Sequence, residues 1–201
     1  MSSAPDCGLI IFLRFPELGK VKTRIAETAG DETAFKVYQE LSDITLHLAA
    51  SLFIPTYLFY ENRLPDELIP SFHYQKQIEG NLGEKIVAAF DYVLQRHQKA
   101  VIIGSDCPEI SPTDIMHAIE LLDQNDIVIG PTEDGGYYLL GCKEKVPALF
   151  DSIEWSTSIV FQQTIKKIEE QGFTYSLMRT LSDIDTEEDW IRYKARLTGP
   201  G

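Results

Sequence analysis

The sequence is poor in cysteine, in paired histidines and in basic residues, and each shortage disfavours a class of protein. Its 201 residues include three cysteines without a Cys-x-x-Cys pair, which argues against a disulfide framework and indicates a reducing compartment. The four histidines form no His-x-x-x-His pair, so a zinc site is not expected. With 18 basic and 31 acidic residues, the net charge of −13 disfavours binding to nucleic acid or to anionic membranes.

Long apolar runs are also missing. No apolar segment approaches the ~20 residues that a membrane-spanning helix needs. The segment before Arg14 lacks the basic and apolar regions of a signal peptide, so we predict a cytoplasmic protein. A hydrophobic content of 44%, with no repeat and no linker, predicts a single domain over residues 1–201.

The hydrophobic pattern predicts strands that mostly alternate with helices. Strands are expected at residues 8–15, 55–60, 100–104, 126–131, 137–142 and 173–178, and helices at residues 32–50, 84–96, 112–123, 157–171 and 187–197. Ser111, Ser156 and Thr186 are predicted helix caps. The pattern indicates a three-layer α/β/α fold with a mixed, mainly parallel sheet, in which the two strands joined by residues 133–136 are too close for a helical crossover.

A loop rich in cations follows the first predicted strand. Arg14, Lys20, Lys22 and Arg24 fall in or beside it, although the protein as a whole is acidic. Gly19 helps to shape the loop so that backbone N–H groups can face a ligand. We predict that this loop binds phosphate groups; the alternative is a solvated basic loop.

Three aspartates follow predicted strands. Asp106 lies beside Ser105 just after the strand at residues 100–104, and Asp183 and Asp185 follow the last strand. In an extended backbone, residues i and i+2 place their side chains on the same side, where two carboxylates repel each other unless a cation is close. The three aspartates together predict a Mg²⁺ or Mn²⁺ site. The alternative for Asp106 is a turn or helix-cap carboxylate. The alternative for the pair is a solvated Asp183, with Asp185 merely preceding the helix cap at Thr186.

Two further segments are candidates for substrate binding. Asp134 precedes Gly135 and Gly136, which allow a backbone to approach a ligand closely, so Asp134 is a candidate general base or hydroxyl-binding group. The alternative is a plain Asp-Gly turn. The segment 155–157, Trp-Ser-Thr, at a predicted helix start could bind a sugar or an anion, or could be a core tryptophan followed by a helix cap.

The motifs of the chain, taken together, resemble one protein family. They are F-x-R-x-P-x-x-G-x-x-K-T-R at residues 12–24, N-L-G-E-K at 81–85, G-S-D-C-P at 104–108, G-P-x-x-D-G-G-Y-Y-L-L-G at 130–141, W-S-T at 155–157 and D-I-D-T-x-x-D at 183–189. In this order they resemble the bacterial DUF2064 family, also described as radical-SAM/selenodomain-associated transferase 1 or arsenosugar-biosynthesis-type glycosyltransferases. That family lies in the nucleotide-diphospho-sugar transferase (GT-A-like) superfamily.

This resemblance implies a GT-A-like fold, a nucleoside diphosphate substrate and a divalent metal. The related phospholactate and phosphoenolpyruvate guanylyltransferases use three aspartates for Mg²⁺, and these match Asp106, Asp183 and Asp185 by motif. The cation loop matches the phosphate-contacting segment, and Gly83 lies in a motif assigned to substrate binding. The sequence departs from the pattern in having one acid in place of the usual D-x-D after the central strand, and Asn81 and Lys85 where Asp and Arg are more usual.

We therefore expect a transferase that takes a nucleotide or nucleotide-sugar donor and a small-molecule acceptor, with no nucleic acid polymer and no membrane span. The first hypothesis is glycosyl transfer. The metal, assisted by Lys20, Lys22 and Arg24, would stabilise the leaving diphosphate, and Asp134 would orient or deprotonate the acceptor. The second is nucleotidyl transfer to a phosphorylated small acid with release of pyrophosphate. The third is a nucleotide-binding module without catalysis. The sequence leaves the oligomeric state open.

Overall fold

The computed structural model describes residues 6–198 as a seven-stranded sheet with helices on both faces. The prediction about a signal peptide rests partly on residues outside this range. The strands are β1 (Cys7–Leu13), β2 (Thr56–Tyr60), β3 (Phe72–Lys76), β4 (Lys99–Ile103), β5 (Ile127–Pro131), β6 (Tyr137–Cys142) and β7 (Tyr175–Leu177). The helices are α1 (Thr23–Ala29), α2 (Asp31–Ser51), α3 (Leu82–Leu94), α4 (Pro112–Leu121), α5 (Val160–Glu170) and α6 (Glu187–Thr198), with a 3₁₀ turn at Pro147–Phe150.

The sheet is mixed and mainly parallel, as predicted. Its strand order is β3-β2-β1-β4-β6-β5-β7, and β6 is the strand that runs antiparallel to both of its neighbours. The short turn between β5 and β6 makes this reversal unavoidable, because a parallel return needs a crossover of a dozen or more residues. The carboxyl ends of β1, β2, β3 and β4 therefore meet at one edge of the sheet, where α/β folds bind their ligands.

The sheet is buried on both faces, which explains why β1 and β4 read as continuous apolar runs. Helices α2 and α4 cover one face, where Leu9, Ile11 and Val101 meet Ile115 and Leu122. Helix α3, the 3₁₀ turn and α5 cover the other face. A third apolar cluster joins α1 to α2 and includes Ile184, with Trp190 and Tyr193 of α6 packed against it.

Most predicted elements are confirmed, and three predictions were wrong. Helix α1 and strand β3 fall in segments where the pattern predicts no helix and no strand. Ser156 does not cap α5, since Ile159 occupies the cap position and Ser156 has a left-handed backbone with φ of 63°. Ser111 and Thr186 do cap α4 and α6, each in a reciprocal pair of hydrogen bonds with the acid three residues later. Within residues 6–198, no helix is long and apolar enough to span a membrane.

Candidate active site

A two-part cleft opens at the carboxyl edge of the sheet. One part, of about 740 Å³, is polar, and we call it the polar chamber. The other, of about 470 Å³, lies over the ends of β1, β2 and β4 and has mostly apolar walls, and we call it the apolar chamber. Both chambers share six wall residues: Arg14, Tyr38, Leu82, Asp106, Tyr137 and Asp183.

The structure brings most of the predicted site residues into the polar chamber. Twelve of them line it: Arg14, Lys20, Lys22, Arg24, Asp106, Asp134, Gly136, Trp155, Ser156, Thr157, Asp183 and Asp185. Four others do not. Ser105 lines only the apolar chamber, and Gly19, Gly83 and Gly135 line neither.

The three predicted metal-binding aspartates meet because the chain crosses the sheet edge after β7. Thr132 forms an isolated parallel bridge with Leu181, which carries the chain past the end of β5. The Ile184 N–H then donates a hydrogen bond to the Asp106 carbonyl oxygen at 2.9 Å. This bond fixes Asp183 and Asp185 beside the turn that carries Asp106.

Lys22 is the cation at the centre of these acids. Its side chain is 7% exposed, and Nζ lies 2.8 Å from Asp106 Oδ1 and 3.2 Å from Asp185 Oδ1. Burial alone would lower the pKa of Lys22, but the two carboxylates outweigh it and raise that pKa above its ordinary value. Lys22 also adopts a left-handed backbone (φ 46°, ψ 53°) at the start of α1, a conformation that is costly for a residue with a Cβ and typical of functional sites.

Asp183 is the acid that the arrangement leaves least stabilised. Burial raises its pKa from 3.8 to about 7, and repulsion from Asp106 and Asp134 adds to this, while Lys22 opposes it. A further positive charge in the cleft would stabilise the ionised form of this carboxyl group and lower its pKa.

The acids fit a hard divalent cation in their chemistry. Asp106 Oδ1 is buried, and no described residue gives it a well-aligned hydrogen bond, although Lys22 Nζ is close. In residues 6–198, no three His, Cys, Asp or Glu side chains converge tightly enough to hold an ion unaided. A metal here would therefore share its coordination between Asp106, Asp183 or Asp185 and the phosphates of a ligand, as Mg²⁺ commonly does.

Asp134 and the segment 155–158 form the opposite wall. Asp134 Oδ1 accepts hydrogen bonds from Thr132 Oγ1 at 2.5 Å and from the Gly136 N–H at 3.1 Å, so its other oxygen is the one left for a ligand. Gly135 holds the wall in place. It has φ of 91°, its carbonyl oxygen accepts from the Phe161 N–H, and a Cβ there would lie 2.0 Å from the Ser158 carbonyl oxygen.

The remaining glycines serve the shape of the chain. Gly19 has φ of 74° in the turn where the Lys20 N–H donates to the Glu17 carbonyl. Gly83 lies under the 3₁₀ turn, where a Cβ would lie 3.0 Å from Phe150 Cβ.

Burial raises the pKa of the Cys107 thiol, so this cysteine is not poised as a nucleophile.

Sequence reasoning missed several residues of the cleft. Tyr38, on the inner face of α2, accepts a hydrogen bond from the Arg14 N–H at 3.3 Å, and its position in the apolar stripe of α2 was the available signal. Tyr137 does belong to the glycine-rich motif singled out at residues 130–141, and its hydroxyl is buried without a hydrogen-bond partner among the described residues. Gln77 follows β3, a strand that was not predicted, so its place at the sheet edge could not be recognised. Glu61 follows the predicted strand at residues 55–60, and that position was the available signal.

Comparison with known proteins identifies the family. Residues 44–157 match the family described as uncharacterized protein conserved in bacteria, DUF2064. The chain belongs to the DUF2064 family. No curated protein gives a match.

Solved structures share the fold of this DUF2064 protein. A candidate nucleotide-diphospho-sugar transferase from Desulfovibrio desulfuricans G20 is 28% identical over 97% of this chain and 89% of its own, with a TM-score of 0.89. The 4-diphosphocytidyl-2C-methyl-D-erythritol synthase of Anaerococcus prevotii DSM 20548 is 15% identical over 96% and 98%, with a TM-score of 0.62. Rv0371c of Mycobacterium tuberculosis H37Rv, in complex with manganese, is 13% identical over 94% and 98%, with a TM-score of 0.58. The nucleotide-diphospho-sugar transferase fold is thereby confirmed.

Proposed function

We propose that this DUF2064 protein is a metal-dependent transferase that moves a glycosyl group from a nucleoside-diphosphate sugar to a small acceptor. One observation carries the proposal: cations after β1 and carboxylates after β4 and β7 meet in one cleft at the ligand-binding edge of the sheet. The relative from D. desulfuricans, described as a candidate nucleotide-diphospho-sugar transferase, supports the same substrate class.

In this proposal the cation loop receives the diphosphate. The bond between the anomeric carbon and the diphosphate oxygen breaks, and the negative charge that develops on the leaving diphosphate is stabilised by Lys22 and Arg24. Lys22 is 7% exposed, so solvent screens its charge less than that of Arg24, which is 69% exposed. The exposed side chain of Arg24 is free to change its conformation as the substrate binds. A bound Mg²⁺ or Mn²⁺, held jointly by the aspartates Asp106, Asp183 and Asp185 and by the phosphates of the substrate, would supply further neutralisation of the same charge. The distant relative of M. tuberculosis that holds manganese supports the choice of ion.

The acceptor hydroxyl would enter from the opposite wall. Asp134 would accept its proton through the carboxylate oxygen that the turn leaves free, while the oxygen forms its new bond to the anomeric carbon. Trp155 stacks on Phe150 at 6.3 Å between ring centres and offers an apolar surface for an acceptor or sugar ring. Ser156 and Thr157 add hydroxyl groups beside it.

Nucleotidyl transfer is the second candidate. The acids of the cleft come from two distant segments, Asp106 and the pair Asp183 and Asp185, in place of a D-x-D. That is the pattern implied by the resemblance to the guanylyltransferases. In this case a phosphorylated acid would attack the α-phosphate of a nucleoside triphosphate, and pyrophosphate would leave.

The bond that breaks separates these candidates. The protein is incubated with Mn²⁺, a mixture of small acceptors and either nucleoside triphosphates or nucleotide sugars, and the products are measured by mass spectrometry. Release of nucleoside diphosphate with a glycosylated acceptor supports the first candidate, and pyrophosphate supports the second. Binding without turnover would instead favour a non-catalytic nucleotide-binding module.

The metal site has its own test. We expect Asp106→Asn to reduce Mn²⁺-dependent nucleotide binding at least about tenfold, since a hydrogen bond or metal contact to a charged group is typically worth about 1.5–3 kcal/mol. Asp66→Asn is the matched control, because the Asp66 side chain is 87% exposed and lies outside both chambers. Isothermal titration with and without Mn²⁺ measures both variants. Unchanged affinity in Asp106→Asn would refute the assigned site.

A further inference from the structure

The residues of the apolar chamber indicate which nucleotide bases the protein accepts, an inference that rests on the proposed function. A row of polar residues crosses its rim. Leu13 pairs with Tyr60, and Tyr60 pairs with Lys76, in the parallel ladders of β1, β2 and β3. The next positions, Arg14, Glu61 and Gln77, therefore lie side by side one step beyond the sheet, and all three line the chamber.

Glu61 is the centre of this row. Its backbone is fixed because its N–H donates to the Leu13 carbonyl at 3.1 Å. Its carboxylate lies between two cations, 3.8 Å from Arg14 Nε and 3.7 Å from Lys85 Nζ, both beyond hydrogen-bond length. Arg14 Nε is itself buried without a partner among the described residues. The carboxylate of Glu61 and the donors of Arg14 and Lys85 therefore do not hydrogen-bond one another, and they line the same chamber, where a ligand could pair with them.

Gln77 adds a second acceptor. Its amide Nε2 donates to the Phe59 carbonyl at 2.9 Å, and its N–H donates to the Tyr60 carbonyl at the same distance. One N–H of the side-chain amide is therefore used within the protein, and this bond fixes the orientation of the amide, so that its carbonyl oxygen can accept from a ligand. The rim presents two acceptors, Glu61 and Gln77, flanked by the cationic donors Arg14 and Lys85.

The walls suit a nucleobase. Below the rim they are formed by apolar side chains of β1, β4 and β6, including Phe12, Ile102 and Leu140, which match the apolar faces of a planar ring. The chamber joins the polar chamber at Tyr38, Asp106 and Tyr137, so a base held here would leave its diphosphate next to Lys22.

We propose that Glu61 selects a base whose ring N–H lies next to a carbonyl, the edge that guanine and uracil share. An ionised carboxylate can only accept hydrogen bonds. It is matched by the ring N–H of these two bases, while Arg14 or Lys85 donates to the adjacent carbonyl. In the same register, adenine and cytosine present a ring nitrogen lone pair to the carboxylate and an amino donor to Arg14 or Lys85, so both contacts become repulsive.

Binding of four nucleotides tests the proposal on the unmodified protein. Isothermal titration with GDP, UDP, ADP and CDP in the presence of Mn²⁺ should show that GDP or UDP binds at least about tenfold more tightly than ADP and CDP. ADP and CDP lack the ring N–H that the carboxylate of Glu61 accepts, and the loss of that hydrogen bond accounts for a difference of this size. IDP then tests whether the ring N–H and the adjacent carbonyl of guanine are the groups that the protein recognises. It keeps the ring N–H and carbonyl of guanine, so it should bind well if GDP is the preferred ligand.

Glu61→Gln tests the residue. Because an amide can donate as well as accept, this change should reduce the preference to about threefold or less and should weaken the preferred nucleotide selectively. Glu79→Gln is the matched control, with the same loss of charge at an exposed position outside the chamber, and it should keep the preference. Equal binding of all four bases, a preference for ADP or CDP, or an unchanged preference in Glu61→Gln would overturn this inference alone. Absence of binding by every nucleotide would overturn the proposed function with it.

Discussion

Replacing Asp183 by Asn should stabilise the metal-free protein at high pH and leave its stability unchanged at low pH. Burial and neighbouring acids raise the pKa of Asp183 in the folded state to about 7, from an ordinary value of 3.8. The unfolded chain therefore gives up this proton near pH 4 and the folded chain only near pH 7. Between these values, ionisation lowers the free energy of the unfolded state but not that of the folded state. The free energy of unfolding therefore falls as the pH rises.

The size of this loss follows from the two pKa values. At about 1.4 kcal/mol per pKa unit, the penalty reaches about 4 kcal/mol above pH 7 and vanishes below pH 4. Asn has a similar shape and no charge, so it removes the penalty but must still hydrogen-bond its amide; we expect a net gain of about 2–3 kcal/mol at pH 8. For a chain of this length, each kcal/mol corresponds to about 2–4 °C in melting temperature. The melting temperature of Asp183→Asn should therefore be about 4–12 °C above that of the unmodified protein.

The assay is thermal unfolding in a chelator at pH 4 and pH 8, followed by circular dichroism. Asp66→Asn serves as the control, because its exposed side chain should give the same melting temperature as the unmodified protein at both values of pH. Equal melting temperatures of Asp183→Asn and the unmodified protein at pH 8, or a gain of the same size at pH 4, would refute the raised pKa and the crowding of acids that causes it.

Two further substitutions test the cations and the opposite wall of the cleft. Lys22→Met should lower stability by about 2 kcal/mol and should abolish nucleotide binding. The stability loss is smaller than the 3–5 kcal/mol of a fully buried pair, because the two carboxylate partners of Lys22 are 45% and 42% exposed. Unimpaired binding of the nucleotide in titration would contradict the role of Lys22. Gly135→Ala should lower both the melting temperature and the turnover, by roughly 2 kcal/mol in stability, since the new Cβ must displace Ser158 from the wall in addition to its backbone strain. Gly172→Ala is the matched control, with φ of 75° and open space around the Cβ, and should cost about 1 kcal/mol without affecting turnover; equal effects of the two changes on turnover would contradict the positioning role.

The sequence was sufficient to predict the layers of the fold and the edge of the sheet that carries the polar cleft. Strand β4 could be recognised from its apolar run, and Asp106 follows directly from its place after that strand. Helix α1 was missed because its seven residues show only one fully buried position, Ile25. Strand β3 was missed because its five residues include a single buried one and follow two prolines. Short elements carry too little periodicity for a pattern to identify them.

The contacts inside the cleft depend on tertiary structure that no local pattern encodes. Nothing near Lys22 in the sequence indicates that its ammonium group lies between Asp106 and Asp185, because the pairing spans 163 residues and depends on the hydrogen bond from Ile184 to Asp106. The alignment of Glu61 and Gln77 likewise depends on the register between β2 and β3. Residue type and strand position predicted which side chains gather, and the register decided which of them touch.

Under the proposed function, the mixture of charges in the cleft makes the metal and the nucleotide favour each other's binding. An anion entering alone meets Asp106, Asp183 and Asp185, whose charges Lys22 and Arg24 offset only in part. A divalent cation entering alone meets Lys22, whose ammonium group already lies between two of the three carboxylates. When both enter, the cation offsets the acids that repel the diphosphate, and the diphosphate offers Lys22 a second anionic partner. Each ligand should therefore raise the affinity of the other by the same factor, as linkage requires. The buried position of Lys22 makes this coupling a property of the folded cleft, since in water such pairs are weakened by solvent and salt.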